Sequence, residues 1–571
     1  MNQSEAKPGT TPKCASGWPY PYQHPQPWTT PLEPQALPAM LARTARLHPT
    51  RTFLHFLGRQ FSYADIAQQV ENAAEGFRRL GVKRGVNVGL FLPNCPQYVV
   101  AYYAIMRAGG TVVNFSPLYT ADELDHQVRD SRVETMVCLD LQQLFPTIAD
   151  VQKRGSLKRL IVCNLPEVLP TAKSLAYRLL KSRDRAKVGF GKTRLKWTAL
   201  FDHGPIKNAP PIDPKTDVAL IQYTGGTTGR PKGALLTHAN LSINAAQVHG
   251  IDPDVDFQDR ILGALPLFHV FANTCVLNRT VLAGDEMVML PKFELEEAIK
   301  AIGEMRITAL PGVPTMYQAM LDHPNIGSFD LTSLRICISG GAPMAKELRE
   351  AFIEKTGARL VEGYGLTESS GVTSCNPYET GGKLGSIGQP LPGTCITICD
   401  REDAARILPD GEKGEITITG PQIMRGYWNR PDADSETFID GRMRTGDVGY
   451  IDQDGYVFIV DRMKDLILVG GFNIYPSTLE AALYTHDAVK EAIVIGIDDL
   501  RLGQRPKAFV TLEDGASVSE ADLLGYLNAK VGKHERAAAL EIREELPKTM
   551  IGKLSRKELV EEEAAKARSQ P

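Results

Sequence analysis

One segment of the sequence, from Tyr223 to Gly233, has the composition of a phosphate-binding loop. Its glycines let the backbone turn N–H groups inward, its threonines add hydroxyl donors, and Lys232 adds a positive charge. The segment lacks the Gly-Lys-Ser/Thr ending of a Walker A loop, so a polyphosphate site outside the P-loop NTPases is predicted. The apolar pair Leu220 and Ile221 runs straight into it, which favours a strand end over a flexible surface turn. The predicted phosphate-binding residues are Thr224, Gly225, Gly226, Thr227, Thr228, Gly229 and Lys232.

The elements that must position this loop follow an alternating pattern. Ser62 and Asp65 form a capping box ahead of apolar residues at helical spacing. Farther along, apolar strands are predicted over 86–92 and 133–139, with a helix over 97–107 between them. Helices that alternate with short apolar strands predict an α/β fold with a parallel or mixed sheet covered on both faces.

The C-terminal part of the sequence indicates a second, smaller domain. The charged segment 461–465 lies between two apolar strands and is predicted to be a hinge. A helix over 476–484 and strands over 489–497 and 507–512 follow. Residues 466–571 are therefore predicted to form a small α+β domain.

The composition is that of a globular protein with several domains. At 571 residues the chain exceeds the size of one core, and its 43% apolar and 23% charged residues are ordinary values. A net charge of −3 gives no general attraction to nucleic acid, and no nucleic-acid partner is predicted. No secretory signal is visible, and no apolar run is long enough to cross a bilayer. Residues 1–40 are rich in proline and are predicted to be an extended arm lying across the domain surface.

The cysteines predict the redox environment. There are nine, an odd number, and none forms a Cys-x-x-Cys pair. Neither a structural disulfide nor a zinc cluster is expected from this pattern. A reducing cytoplasm is therefore predicted.

Residues 173–197 are strongly basic and carry interleaved apolar side chains. One interpretation is peripheral contact with an anionic membrane on its inner face, worth up to about 1 kcal/mol per basic residue near the surface. The other is a solvated basic loop, and the sequence leaves both open. A single acid, Asp184, opposes the basic residues. Those residues are Lys173, Arg178, Lys181, Arg183, Arg185, Lys187, Lys192, Arg194 and Lys196.

Seven motifs in one order give the sequence a family resemblance. They resemble those of adenylate-forming acyl-CoA synthetases, and within that superfamily the chain is most similar to bacterial long-chain fatty acid–CoA ligases. The motifs are Tyr223–Gly233, Leu265–Val270, Glu362–Glu368, Arg444–Asp447, Asp461–Asp465, Gly470–Pro476 and Pro547–Lys553. The resemblance implies a large N-terminal domain of stacked mixed sheets at 41–460, a small mobile domain at 466–571 and an active site between them.

The resemblance also implies a reaction and its substrates. A fatty acid would attack the α-phosphorus of ATP to give acyl-AMP and pyrophosphate, and CoA would then displace AMP. Because the first step joins two anions, positioning and charge neutralisation must dominate it. Glu368 is implied as the Mg²⁺ ligand, with Thr224 beside it, and Thr367 as a donor to the α-phosphate. The resemblance assigns the rest of the nucleotide to Gly341, Ala342, Pro343, Glu362, Gly363, Tyr364, Gly365, Asp447 and Arg462, with Tyr364 on adenine and Asp447 on the ribose.

The remaining implied roles concern the acid, the hinge and the thiol. Lys553 would offset charge where the carboxylate meets the α-phosphate, and His269 would orient the carboxylate or gate the thiol path. Lys464 matches the hinge position, about which the small domain would turn after adenylation. Gly470 and Gly471 would line the channel for the CoA arm. The implied catalytic residues are thus Lys553, His269, Thr367 and Glu368.

The acid itself is the weakest inference from the sequence. Each buried methylene contributes about 0.8 kcal/mol, which favours a long chain, but an aromatic or medium-chain acid is an alternative. Delivery of the acyl group to a carrier protein, or a non-catalytic nucleotide- or membrane-binding module, are two further alternatives. A homodimer is also left open. Candidate wall residues of the acyl pocket are Val270, Phe271, Cys275, Val276, Val313, Met316 and Tyr317.

Overall fold

The computed structural model describes residues 14, 17–224, 231–470, 472–499, 501–548 and 554–569. The chain divides into two compact units. The larger comprises Lys13–Cys395 and Thr419–Met443, and the smaller includes Ile396–Ile418 and Arg444–Pro571. The predicted domain boundaries, with an arm at 1–40, domains at 41–460 and 466–571 and a hinge at 461–465, stay predictions.

Helices and strands alternate along the larger unit, as the sequence pattern predicts. The helices are α1 (Leu37–Leu47), α2 (Tyr63–Arg79), α3 (Pro96–Arg107), α4 (Ala121–Ser131), α5 (Phe145–Lys153), α6 (Thr171–Leu180), α7 (His238–Gly250), α8 (Val270–Ala272), α9 (Arg279–Ala283), α10 (Leu295–Met305), α11 (Pro314–Leu321), α12 (Lys346–Thr356), α13 (Pro431–Thr437), α14 (Pro476–Tyr484), α15 (Glu520–Lys530) and α16 (Arg556–Ser569). A π-helical segment, Asn273–Asn278, joins α8 to α9.

The strands are β1 (Thr52–Phe56), β2 (Arg59–Ser62), β3 (Asn87–Phe91), β4 (Thr111–Asn114), β5 (Thr135–Leu139), β6 (Arg159–Cys163), β7 (Arg194–Lys196), β8 (Val218–Tyr223), β9 (Gly233–Thr237), β10 (Arg260–Gly263), β11 (Glu286–Met289), β12 (Ala309–Gly312), β13 (Ile336–Ser339), β14 (Arg359–Tyr364), β15 (Ser374–Cys375), β16 (Gln389–Pro390), β17 (Cys395–Cys399), β18 (Gly414–Thr419), β19 (Phe438–Ile439), β20 (Arg442–Ile451), β21 (Val457–Arg462), β22 (Ile467–Val469), β23 (Phe472–Ile474), β24 (Val489–Asp499), β25 (Gly503–Leu512) and β26 (Ala539–Ile542).

Two mixed sheets form the frame of the larger unit. One has nine strands in the order β16-β15-β14-β13-β12-β10-β11-β1-β2, and the other has seven in the order β7-β6-β5-β3-β4-β8-β9. In both, the central neighbours run parallel and the antiparallel pairs lie toward the edges. The prediction of stacked mixed α/β sheets is confirmed.

Local sequence explains why these helices form and what they bury. Ser62 caps α2 by accepting the Asp65 N–H at 3.1 Å, and its own N–H donates to the Asp65 carboxylate at 2.9 Å. This reciprocal capping box is the one that the sequence predicts. Helix α3 is buried from Pro96 to Met106, as expected for a helix that is apolar on all sides.

The smaller unit contains a sheet of β22 to β26 with α14, α15 and α16. Its strand order is β23-β22-β25-β24, and β26 pairs with β25. The long pairing of β24 with β25 is antiparallel, and Val494, Ala508 and Leu523 are among the residues of the core on that sheet. The predicted α+β character of this part of the chain is therefore confirmed.

The N-terminal arm is tied to the larger unit over its described residues. Tyr22 donates its hydroxyl to the Pro390 carbonyl at 2.9 Å, and the Trp28 indole donates to the Thr394 carbonyl at 2.7 Å. Gln389 also donates to the Pro21 carbonyl at 2.7 Å. These contacts hold residues 21–28 against the larger unit.

A disulfide between Cys14 and Cys395 corrects the prediction drawn from the cysteines. The bond joins positions 381 residues apart, so spacing along the sequence gives no sign of it. The other seven cysteines are buried free thiols. The inference of a reducing compartment from the absence of disulfides therefore fails.

Candidate active site

The predicted phosphate-binding loop connects an antiparallel hairpin. Strands β8 and β9 pair through Tyr223 and Gly233, and the Thr224 N–H donates to the Lys232 carbonyl at 2.9 Å. A Walker A loop leads from a strand into a helix, so the hairpin agrees with the sequence-based exclusion of a P-loop NTPase. Residues 225–230, which include Gly225, Gly226, Thr227, Thr228 and Gly229, lie outside the described residues.

Tyr427 contacts both Lys232 and Glu368. Its hydroxyl donates to the Glu368 carboxylate at 2.7 Å, and the Lys232 ammonium lies 5.1 Å from the centre of its ring. Burial, followed by the charge of Glu368, raises the pKa of Tyr427, so its hydroxyl stays protonated and remains a donor. The segment around Tyr427 is itself held against β9, because the Trp428 N–H donates to the Gly233 carbonyl at 2.8 Å. A cation, a phenol and a carboxylate therefore lie together beside the start of β9.

Several other predicted site residues lie at one edge of the nine-stranded sheet. Strands β10, β12, β13 and β14 run parallel, so their carboxyl ends meet at the same edge. His269 follows β10, the turn with Gly341, Ala342 and Pro343 follows β13, and Tyr364 ends β14. In open α/β sheets this edge is where ligands bind.

The turn after β14 requires glycine because the backbone passes very close to a later segment. A Cβ at Gly365 would lie 2.0 Å from the Gly371 carbonyl oxygen, which no side chain tolerates. A Cβ at Gly363 would lie 2.9 Å from the Ile338 side chain. These contacts set the path into the short 3-10 turn that carries Thr367 and Glu368.

The Glu368 turn is held by buried polar contacts. The Met424 N–H donates to the Glu368 carbonyl at 2.7 Å, and Asn244 exchanges hydrogen bonds of 3.0 and 2.7 Å with the backbone of Val372. Glu362, two residues before the end of β14, accepts the Met344 N–H at 3.2 Å, and burial raises the pKa of this carboxyl. The Glu362 carboxyl thus acts in positioning the turn after β13.

His269 begins α8 and faces a low-dielectric environment. Its Nδ1 accepts the Phe271 N–H at 3.3 Å. Burial lowers the pKa of His269 to about 4, so the ring is neutral at pH 7. A neutral imidazole suits orientation of a carboxylate better than delivery of a positive charge.

The helix that follows His269 departs from α-helical geometry. Residues Asn273–Asn278 are π-helical, and Asn273 Oδ1 accepts both the Tyr102 hydroxyl at 3.0 Å and the Asn278 amide at 2.8 Å. Thr274 in the same segment donates its hydroxyl to the Ser370 carbonyl at 2.5 Å, next to the Glu368 turn. Such π-bulges are frequent at functional sites.

The predicted acyl-pocket wall is tightly packed. A cavity of about 10 Å³ is lined by Cys275, Pro311, Ile338 and Tyr378, among others. It lies between the π-helical segment and strands β12 and β13. Val270, Val276, Val313, Met316 and Tyr317 are also buried. Entry of an acyl chain at this position requires side chains to move.

In the smaller unit, Asp447 and Arg462 form an ion pair. They stand opposite each other on β20 and β21, with Arg462 Nε 3.0 Å from Asp447 Oδ1. The Asp447 side chain is only 3% exposed, and its N–H donates to the Thr445 hydroxyl at 3.0 Å. The predicted support of Asp447 by Arg462 is thus present as a direct contact.

The predicted hinge forms a 3-10 turn over Met463–Asp465. Desolvation, followed by the nearby Arg462 guanidinium, lowers the pKa of Lys464. Asp461, at the start of the hinge, accepts the Ser477 N–H of α14 at 2.9 Å, and Asp465 at its end lies 3.3 Å from Arg556. Two carboxylates therefore connect the hinge to the helices that follow it.

The other predicted residues of the smaller unit are only partly described. Gly470 has a φ of 55° at the turn between β22 and β23, and its N–H donates to the Leu502 carbonyl at 2.8 Å. Gly471 and Lys553 lie outside the described residues. On either side of the Lys553 segment, Lys548 and Leu554 pair as an isolated antiparallel bridge.

Sequence reasoning missed three residues of this arrangement: Tyr427, Asn244 and Asn273. Tyr427 contacts Glu368 directly, Asn244 holds the backbone of Val372 after the Glu368 turn, and Asn273 lies in the π-helical segment that follows His269. Buried tyrosines usually donate their hydroxyl, but that rule does not identify the partner of Tyr427 from the sequence.

Comparison with known proteins assigns the family. The family model described as AMP-binding enzyme matches residues 41–428, and the model for the AMP-binding enzyme C-terminal domain matches 478–553. The chain belongs to the AMP-binding enzymes. A long-chain-fatty-acid–CoA ligase of Bacillus subtilis (strain 168) is 38% identical to this AMP-binding enzyme over 551 residues, covering 96% of this chain and 98% of the relative.

Solved structures agree with that assignment. ATP-bound MatB from Rhodopseudomonas palustris has a TM-score of 0.80 at 28% identity and covers 93% of this AMP-binding enzyme and 99% of the MatB chain. The anthranilate CoA ligase AuaEII in complex with anthranoyl-AMP has a TM-score of 0.81 at 25% identity, with 94% and 99% coverage. The predicted resemblance to adenylate-forming acyl-CoA synthetases and the predicted fold class are confirmed.

Proposed function

We propose that this AMP-binding enzyme activates a long-chain fatty acid as acyl-AMP and transfers the acyl group to CoA. The observation that carries the proposal is the hydrogen bond from Tyr427 to Glu368 beside Lys232, at the base of the phosphate-binding hairpin. The relative from Bacillus subtilis, at 38% identity over nearly the whole chain, supports the fatty acid and CoA as substrates. The reaction releases pyrophosphate in its first step and AMP in its second.

In the first step, the residues of the larger unit hold two anions together. Lys232 and the loop from Thr224 would bind the β- and γ-phosphates, and Thr367 would donate to the α-phosphate. Tyr364 would stack on adenine, with Gly341, Ala342 and Pro343 supplying backbone contacts. His269, neutral because burial lowers its pKa to about 4, would orient the fatty carboxylate. Positioning of this kind supplies much of the rate enhancement when little covalent chemistry is left to the protein.

The donor set fits Mg²⁺. Glu368 offers a carboxylate and Thr224 a hydroxyl, both hard oxygen ligands. Among the described residues no group of three or more His, Cys, Asp or Glu side chains converges, which suits an ion that takes few protein ligands and keeps its waters and substrate phosphates. When bound, Mg²⁺ would neutralise phosphate charge. The Tyr427 hydroxyl, which donates to the Glu368 carboxylate, would orient that ligand.

The smaller unit would supply the remaining groups. Asp447 would accept hydrogen bonds from the ribose hydroxyls, held in place by Arg462 at 3.0 Å. Lys553 would offset charge at the α-phosphate during adenylation. Rotation about Lys464 would then remove Lys553 and bring Gly470 and Gly471 to the CoA arm for thioester formation.

An aromatic or medium-chain acid is the second candidate substrate class. The cavity of about 10 Å³ beside Cys275 leaves little room for a long chain without rearrangement. One structural neighbour is an anthranilate CoA ligase, which acts on a small aromatic acid. Transfer to a carrier protein instead of CoA remains the alternative for the second step.

A half-reaction screen tests the function and separates these substrates. Purified enzyme with Mg²⁺ and ATP is assayed for pyrophosphate release over saturated acids of increasing length and an aromatic acid, each with and without CoA. We expect the highest kcat/KM with long-chain acids, and thioester only when CoA is present. Preference for the aromatic acid would replace the fatty-acid proposal, and no acyl-AMP with any acid would refute the function.

Three further predictions concern location and assembly. Among the described residues, no helix combines the length and apolar composition that spanning a bilayer demands. Cytoplasmic location is tested by fractionation, and the homodimer by light scattering of the purified protein. The third prediction is contact of residues 173–197 with a membrane.

A further inference from the structure

Helix α6 is exposed to an extent unusual for a helix of the larger unit. None of its residues is buried. Leu175, Leu179 and Leu180 are 60%, 70% and 83% exposed. Phe190, in the loop that follows, is 47% exposed. We call α6 and the loop through Lys192 the α6 surface.

The apolar stripe of α6 faces away from the protein. Ala172, Leu175, Ala176 and Leu179 follow the i, i+3, i+4, i+7 spacing of one helical face, and all four are exposed. The side that packs on the protein carries Tyr177, which is partly buried against the large core. A surface helix normally buries its apolar stripe, so this arrangement is inverted. Exposed apolar residues grouped in this way mark an interaction site.

Cations surround the stripe. Arg178, Arg183, Lys187 and Lys192 are exposed, and within the described part of the chain none of them forms an ion pair with a carboxylate. Lys181 is 4.0 Å from Asp184, the only acid of the segment. These charges are therefore available to an anionic partner.

Three of the nine basic residues of 173–197 make contacts within the protein instead. Arg185 pairs at 2.7 Å with Asp140, whose side chain is 5% exposed. Arg194 donates to Gln152 at 2.8 Å, and Lys173 donates to the Leu57 carbonyl at 3.0 Å. Neutralising these residues would perturb the structure, so they are unsuitable for testing surface charge.

We propose that the α6 surface binds an anionic lipid bilayer, with α6 lying in the plane of the interface. Leu175, Leu179 and Leu180 enter the boundary between headgroups and acyl chains, and the surrounding lysines and arginines contact lipid phosphates. Apolar area plus basic charge on one exposed helix is the combination that interfacial helices use. A solvated loop explains the charges but not the outward leucines. The proposal does not depend on the enzyme's substrate.

Vesicle co-sedimentation tests the charge contribution. The full-length protein is mixed with vesicles of phosphatidylcholine alone or with roughly one third phosphatidylglycerol. The variant Arg178→Gln/Arg183→Gln/Lys187→Gln/Lys192→Gln should bind the anionic vesicles at least about tenfold more weakly than wild type, since each basic residue contributes up to about 1 kcal/mol. Its matched control changes four exposed lysines elsewhere, Lys83→Gln/Lys207→Gln/Lys300→Gln/Lys355→Gln, and should bind as wild type does.

A second pair of variants tests insertion. Leu179→Gln/Leu180→Gln should weaken binding to anionic vesicles about tenfold or more while leaving pyrophosphate release with a soluble short-chain acid unchanged. Leu47→Gln/Val255→Gln, which changes two exposed apolar residues outside the α6 surface, should have no effect on binding. Equal sedimentation of wild type with and without phosphatidylglycerol, or no loss in either α6 variant, overturns the proposal and favours the solvated loop. A different outcome is that the wild type does not bind vesicles but self-associates, and that the leucine variant does not self-associate. That outcome would assign the α6 surface to contact with a second copy of the chain and would also overturn the proposal.

Discussion

The Tyr427 hydroxyl donates a hydrogen bond of 2.7 Å to the Glu368 carboxylate, across 59 positions of sequence. The same ring faces the Lys232 ammonium at 5.1 Å. One aromatic residue therefore contacts both Glu368 and Lys232, which belong to two separate motifs. The proposed metal ligand and the proposed phosphate-binding lysine therefore both contact this side chain.

Replacing Tyr427 by Phe should slow adenylation roughly 10- to 100-fold, because a hydrogen bond to a charged group is worth about 1.5–3 kcal/mol. The readout is pyrophosphate release under saturating ATP and acid. Thermal stability should fall by no more than this free energy, because the ring keeps its packing. Tyr450→Phe serves as the matched control, because it removes the hydroxyl of a tyrosine whose ring stacks on Phe458. Unchanged adenylation in Tyr427→Phe would remove the positioning role.

Replacing Lys553 by Ala should separate the two half-reactions. Loss of a positioned charge at the α-phosphate should lower the rate of acyl-AMP formation by about 10²–10³. Transfer from preformed acyl-AMP to CoA should proceed at the wild-type rate, because Lys553 acts only in adenylation. Lys557→Ala, which changes an exposed lysine of α16, controls for charge in the same region. Equal loss in both half-reactions would contradict the division of roles.

Replacing Lys464 by Pro should block the transition between the half-reactions. Proline fixes φ near −65°, so the hinge backbone loses the freedom that rotation needs. We expect near-normal pyrophosphate release and less than about a tenth of the wild-type thioester rate. Lys464→Ala keeps the backbone free and removes only the side chain, so it should retain thioester formation. If Lys464→Pro turns over normally, the hinge lies elsewhere.

Protonation of buried histidines should destabilise the larger unit in mild acid. Burial lowers the pKa of His238 to about 4, and the nearby Asp217 carboxylate opposes this shift without cancelling it. The unfolded state therefore binds more protons between about pH 6.5 and pH 4, and stability falls as the pH decreases through that window. One such histidine should lower the free energy of unfolding by about 2 kcal/mol between pH 7.5 and pH 5.

The variant His238→Asn isolates this contribution. Asparagine retains an acceptor for the Leu37 N–H, which His238 Nδ1 accepts at 3.3 Å, but it does not titrate. The free energy of unfolding, measured with urea at pH 7.5 and at pH 5, should fall between these pH values by about 2 kcal/mol less in the variant than in the wild type. Identical losses in both proteins would mean that His238 is already protonated in the native state or stays neutral in the unfolded one.

Local signals account for what the sequence predicted well. The Ser62–Asp65 capping box and the apolar strands at 87–91 and 135–139 depend on residues close together in sequence, and the structure has them within a few positions of the prediction. Glycine, threonine and lysine within one short segment also predict a phosphate-binding loop, and its binding of phosphate stays a prediction. Its position in a hairpin follows from Gly233 beginning the next strand.

The features that were missed depend on contacts between distant segments. Tyr427 reaches Glu368, and Arg185 reaches buried Asp140, from sequence positions that carry no motif. The π-helical segment was missed because its polar side chains bond to Tyr102 and Ser370, which are distant in sequence. The outward face of α6 was missed because periodicity defines an apolar stripe but not the side on which the protein lies.

The bond between Cys14 and Cys395 closes most of the larger unit into a covalent ring of backbone and sulfur. A single proteolytic nick anywhere inside that ring leaves one molecule, and its two pieces separate only after reduction. Denaturation likewise leaves the ring intact, so an oxidised unfolded chain is more compact than a reduced one and has fewer conformations to lose on refolding.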